Sequence, residues 1–314
     1  DVVREAVVLL SWFPGANAAT VDALATAPML QALGVLAQRD GEARKHLLFM
    51  VYNCLAAAPE ASRRTIAALL AAPAAATAVT EAPLSGVTAA GDPLRYFARA
   101  MAEIMQHGLV GTARAAFATA AARRIPELLA ALRDDATALA EAFSDFRIAT
   151  SCSHADASPI AGSRPLLSAA LDVVVSGTHA AAAASHECLC AALFLIGTAS
   201  SYTAAQAVLS WRSQPRLTTP LATLTQSADA GVAGAAMYAA ACLSTWDGGH
   251  TAAYAAAPGA LAAVMRWLRD RSAGDDARKA RRNAANALTA PARYPPLLQL
   301  HPATRGGEAL DAVC

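Results

Sequence analysis

Apolar positions recur along this chain at helical spacing, and the pattern itself repeats. Between Ala16 and Ala58 the sequence reads as three pieces. A short helix is predicted around Thr20–Ala27. An apolar helix follows over Met29–Gln38, with Leu30, Leu33, Val35 and Leu36 giving one face; steps of three and four residues return a side chain to the same side of an α-helix. A polar turn, Arg39-Asp40-Gly41, separates it from a long amphipathic helix over Glu42–Ala57. Pro59 then stands where a new helix can begin.

The same order returns downstream. Arg123-Arg124-Ile125-Pro126-Glu127-Leu128-Leu129 opens a middle helix, Arg133-Asp134-Asp135 is the turn, and Ala136–Phe146 is the long helix. Near the C-terminus, Pro258–Arg269 is the middle helix, Ala273-Gly274-Asp275-Asp276 the turn, and Ala277–Ala290 the long helix, closed by Pro291. Ala72–Ala90 is expected to start as a middle helix and lengthen into a loop. Ser151–Arg164 reads as a polar inter-repeat loop. Self-similarity at this period points to stacked helical units that bury their faces against sequence neighbours.

The ends of the long helices carry a resemblance. Leu9-Leu10-Ser11-Trp12-Phe13, Met50-Val51-Tyr52-Asn53-Cys54 and Ala142-Phe143-Ser144-Asp145-Phe146 are similar to the small-Leu-Ser-Asn-Leu ending of the third helix in armadillo repeats. Weaker members are Ala100-Met101-Ala102-Glu103-Ile104, Ala192-Leu193-Phe194-Leu195-Ile196, Cys242-Leu243-Ser244-Thr245-Trp246 and Ala287-Leu288-Thr289-Ala290, the last preceded by Arg282-Asn283-Ala284-Ala285. The fourth position of each falls at Trp12, Asn53, Glu103, Asp145, Leu195, Thr245 and Ala290, at intervals of 41 to 50 residues. HEAT-type repeats are the close competitor. The resemblance implies an all-α, right-handed α-solenoid of about six three-helix armadillo-type repeats over residues 1–290, with residues 291–314 an extended tail or cap. Asp1–Phe13 aligns with a third helix, so earlier repeats or a covering partner are expected.

In armadillo proteins the third helices line a groove where a ladder of Asn side chains binds an extended peptide, with Trp residues packing alongside. An amide offers donor and acceptor together, which suits an extended backbone. Transferred here, the groove candidates are Trp12, Asn53, Glu103, Asp145 and Thr245. Only Asn53 keeps the amide, while Glu103 and Asp145 accept only. A surface docking partners through mixed apolar and charged patches is therefore expected in place of a regular ladder. The alternative for Asn53 is an amide that anchors its own helix or a loop.

Composition supports the helical reading. Alanine supplies 86 of the 314 residues and aromatics 5%, which favours helices over strands that need bulky branched side chains. Alanine contacts remove little apolar area from water, so modest stability is expected. A formal net charge of +1 builds in no chain-wide attraction to nucleic acid or acidic membranes. The basic residues do cluster near the C-terminus, where Arg278, Arg281 and Arg282 share one side of a helix and Ala280, Ala284, Ala287 and Leu288 the other. Those arginines are the candidates for an anionic partner, RNA or an acidic protein. A solvated face with internal ion pairs is the plainer reading.

Little else offers chemistry. On a helix Cys188 and Cys190 of His186-Glu187-Cys188-Leu189-Cys190 point to nearly opposite sides, so no metal is expected there. Ser151-Cys152-Ser153-His154-Ala155-Asp156 lies too close along the chain for a triad, and phosphate-loop, zincin and nucleophile-elbow motifs do not occur. No cofactor and no catalysis are expected. Cys188–Trp211 and Ala230–Trp246 are uncharged but broken or weakly apolar, so a membrane span is not expected. The six cysteines lack secreted-domain spacing, consistent with reduced thiols inside a cell, in a cytoplasmic or cytoskeletal (ciliary) or organellar setting. The expected role is a non-catalytic interaction scaffold or structural subunit of a larger assembly; the alternative is an RNA- or ribosome-associated repeat protein.

Overall fold

Polar turns start the long helices by capping them. Asp40 accepts hydrogen bonds from the N–H groups of Glu42 and Ala43 at 2.8 and 3.2 Å. Asp135 does the same for Thr137 and Ala138, and Asp229 for Val232. Ser185 accepts from Cys188. Each carboxylate or hydroxyl satisfies amides that a helix leaves unpaired at its first turn. The computed structural model describes residues 2–12, 18–56, 59–84, 93–107, 112–151, 157–176 and 185–292, and among these all regular structure is helical.

The helices run in chain order as α1 (Val2–Trp12), α2 (Ala18–Leu24), α3 (Ala27–Ala37), α4 (Gly41–Leu55), α5 (Pro59–Leu70), α6 (Pro73–Thr80), α7 (Pro93–His107), α8 (Thr112–Ala122), α9 (Ile125–Leu132) and α10 (Ala136–Thr150). They continue as α11 (Ser158–Ala161), α12 (Arg164–Ser176), α13 (His186–Ala199), α14 (Thr203–Leu209), α15 (Thr218–Thr225), α16 (Ala230–Ser244), α17 (Gly248–Ala256), α18 (Ala260–Arg269) and α19 (Asp275–Ala292). Every third one is long: α4, α7, α10 and α16 have 15 residues, α13 has 14 and α19 has 18.

Two differences from the sequence expectation stand out. Within Ser151–Arg164 a single helical turn, α11, buries Ile160 and Ala161, so part of that segment is packed and not simply loop. At the other end α19 runs through Pro291 to Ala292; a proline one residue from a helix end forfeits a single backbone hydrogen bond. The proposed loop over residues 85–90 and the tail beyond residue 292 lie outside the described residues.

The chain divides into two compact units, Asp1–Leu166 and Leu167–Cys314. In the first, α4 packs on α1, α7 on α4 and α10 on α7, while α3 packs on α6. Small residues set how close these helices come. A Cβ added at Gly34 of α3 would lie 2.2 Å from the Ala75 backbone nitrogen in α6, a separation no side chain could occupy. In the second unit α16 packs on α13 and α19 on α16, while α15 packs on α18. There Gly234 faces the Ala280 Cα, 3.2 Å from where its own Cβ would be.

Side chains tie residues 29 to 49 apart. In the first unit the Arg124 guanidinium donates to the Thr80 and Ala82 carbonyls at 2.6 and 3.0 Å, capping the end of α6, and the Ala74 N–H donates to Gln31 Oε1. In the second, Asn283 Nδ2 donates to the buried Gly234 carbonyl at 2.9 Å. His250 is buried with Nε2 2.7 Å from the Leu209 carbonyl and Nδ1 3.3 Å from Thr218 Oγ1, and its ring meets Trp211 and Trp246 edge-on.

Candidate interaction surface

On α4, Tyr52 and Asn53 are half-buried just before the helix ends. Tyr96 of α7 meets Tyr52 with ring centroids 4.6 Å apart and Phe49 at 5.1 Å. One helical turn beyond Tyr96, Arg99 opens an ionic lattice across α7 and α10. Its Nη2 is 2.7 Å from Glu103 and its Nη1 3.4 Å from Asp145, while Arg95 reaches Glu141 at 3.3 Å. Exposed pairs of this kind contribute about 0–1 kcal/mol each, so the lattice fixes geometry more than it stabilises the fold.

Asp145 is the exception within it, being buried. Burial pushes its carboxyl up from the ordinary value to about 6; Arg99 pulls the other way, and Glu141 and Glu103 add to the rise. The result is a carboxyl that titrates above the ordinary carboxylate range, beside one arginine and two further carboxylates.

The structure thus brings Glu103 and Asp145 together through Arg99. Asn53 turns toward its own fold: its Nδ2 donates to the Ser11 carbonyl at the end of α1, at 3.4 Å. Thr245 is exposed, with its hydroxyl donating to the Cys242 carbonyl at 2.6 Å. Leu195 is fully buried, and the side chains of Trp12 and Ala290 lie outside the described residues. Tyr96, Arg95 and Arg99 were not among the sequence candidates. The signal for Arg99 was its place four residues before Glu103 on one helix, and for Tyr96 its place 44 residues after Tyr52.

The C-terminal arginines are partly engaged. Arg278 pairs with Asp275 and Lys279 with Asp276. Arg281 donates to the carbonyls of Asp270 and Ser272 at 2.9 and 3.0 Å, closing the turn before α19. Arg282 is exposed, and Ala280, Ala284 and Ala287 are buried on the opposite side.

His186 is spoken for by Asp229 at 2.7 Å, and among the described residues no group of three His, Cys, Asp or Glu could hold a metal ion. Cys54, Cys188, Cys190 and Cys242 are free thiols. Burial pushes Cys54 up to about 12, and Cys188 and Cys190 up to about 11, far from the thiolate form that reacts. Among the described residues no helix is long and apolar enough to cross a membrane. Compared with known proteins, the chain matches no family model and no curated protein.

Proposed function

We propose that this chain is an armadillo-type α-solenoid of about six three-helix repeats acting as a protein-docking scaffold, with no catalytic site of its own. What carries the reading is the rhythm of the packing. Within each of the two units, long helices neighbour the long helix of the adjacent triplet, and polar ties join residues one repeat apart. A chain that spends its small-residue faces on sequence neighbours keeps the outer side of its long helices for something else.

On α4, α7 and α10 that side holds half-buried tyrosines beside exposed arginines and carboxylates. Tyrosine and arginine are the residues that most often dominate protein interfaces. The engagement of Arg278 and Arg281 within their own turn favours protein over RNA as the partner.

The test is affinity capture from cell extract with the full chain and with Tyr96→Ala and Arg99→Glu variants that keep the parental melting curve. A co-purifying protein in fixed stoichiometry, lost from both variants, is the expected result. Capture that neither substitution disturbs would overturn the assignment of this surface.

A further inference from the structure

In the second unit the connection between α14 and α15, residues 210–217, is held as a fixed turn. The N–H groups of Ser213 and Gln214 donate to the Ser210 carbonyl at 2.9 and 2.8 Å, and the Leu217 N–H donates to the Gln214 carbonyl at 3.1 Å. The Ser213 hydroxyl donates to the Ala207 carbonyl at 3.1 Å. Trp211 pins the turn to the start of α17. Its N–H donates to Asp247 Oδ2 at 2.7 Å, and a Cβ added at Gly249 would lie 2.6 Å from the indole Cγ. The same ring meets His250 edge-on.

The turn carries two unpaired cations. Arg212 and Arg216 are exposed, and neither makes a hydrogen bond or an ion pair among the described residues. Little charge lies near them along the chain: from residue 188 to residue 265 the Asp, Glu, Lys and Arg positions are Arg212, Arg216, Asp229 and Asp247. Both aspartates are engaged elsewhere. Asp229 meets His186 and accepts from the Val232 N–H. Asp247 accepts from the Trp211 and Gly249 N–H groups. The turn is therefore a positive point on a nearly uncharged stretch, with half-buried Trp211 at its base.

We propose that the α14–α15 turn docks an acidic peptide segment of a partner protein, its carboxylates meeting Arg212 and Arg216. The proposal rests on the docking-scaffold reading but uses a surface other than that of α7 and α10. Charge complementarity argues for this occupant, since two guanidinium groups able to form forked pairs take no carboxylate among the described residues. Tryptophan and arginine are also residues that dominate protein interfaces, and a turn already fixed loses little freedom on binding. Single-stranded RNA suits the turn less well. The Trp211 ring is packed on Gly249 and His250, which leaves it poorly placed to stack on a base. Two cations in one turn do not make the basic stripe that follows a phosphate backbone.

The experiment titrates the full chain with a short glutamate-rich peptide containing interspersed alanines, following the Trp211 indole N–H resonance. The glutamine version of that peptide and oligouridylate of equal charge are the comparison probes. Arg212→Gln with Arg216→Gln removes both cations and breaks no contact among the described residues, so the parental melting curve is expected. Arg278→Gln with Arg282→Gln removes the same charge from α19. Saturable binding of the glutamate peptide that moves the Trp211 resonance is expected. It should weaken by roughly tenfold or more in the Arg212 and Arg216 double variant, in part in each single variant, and by less than about twofold in the α19 variant, because charge-assisted pairs act locally. Absence of saturable binding, an equal loss in the α19 variant, or equal binding of the glutamine peptide or of oligouridylate would overturn the proposal. Tyr96→Ala is expected to leave peptide binding intact, so failure of the α7 surface and failure of this turn are separable.

Discussion

Burial in the fold raises the Asp145 carboxyl above the ordinary carboxylate range. Its folded value, about 6, lies above the ordinary 3.8, so between those limits the folded chain holds the proton more tightly than the unfolded one. Stability therefore falls as pH rises from about 4 to about 6 and levels off beyond. Asp229, Asp247 and Asp270 are shifted the opposite way and lose their contribution only below the ordinary carboxylate range. Thermal melts at pH 4.5 and pH 7 (chosen about that window) are expected to favour the lower pH in the parent more than in Asp145→Asn. Gly34 gives a second prediction. Alanine would gain up to about 1 kcal/mol in helix propensity, but a Cβ 2.2 Å from a backbone nitrogen forces α3 and α6 apart. Overpacking costs about 1–3 kcal/mol, so Gly34→Ala is expected to be net destabilising in urea melts. Residue positions were legible in the sequence and residue roles were not. The repeat spacing singled out Glu103 and Asp145, yet nothing in it showed that Arg99 joins them or that Asn53 faces Ser11. Those facts depend on how two helices rotate against each other, which a periodicity read along one helix does not fix.

At the scale of the element, the turns were the clearest signal. Arg39-Asp40-Gly41 and Arg133-Asp134-Asp135 marked helix starts because an aspartate there can accept from two free amides, and both do so in the structure. Asp40→Ala and Asp135→Ala are each expected to cost about 1 kcal/mol. The double variant should cost close to the sum, because the two caps share no partner; urea denaturation of the single and double variants checks this. Short elements were the least legible. The four residues of α11 are too few to show a helical period, and only burial of Ile160 and Ala161 explains why that turn forms. Alanine-rich α16 is nearly uniform in polarity, so its buried side comes from contact with α13 and α19 and not from its own pattern.

At the scale of the whole molecule, the account joins an observation to a proposal. Long helices pack in sequence order in each unit, α1–α4–α7–α10 in the first and α13–α16–α19 in the second, and the proposed solenoid reads each row as a repeating stack. If so, helices three steps apart in a row are held apart by those between them. Neighbouring helix axes lie about 8–10 Å apart, so α1 and α10 should be separated by about 24–30 Å. The direct measurement is the distance between spin labels at Leu9→Cys on α1 and Glu141→Cys on α10, both exposed positions, in a chain whose native cysteines are replaced. A distribution centred near 24–30 Å, broadened by the label arms, is what a row of stacked helices gives. One centred near 10 Å, the spacing of helices in direct contact, would mean a closed bundle, and the docking wall would go with it.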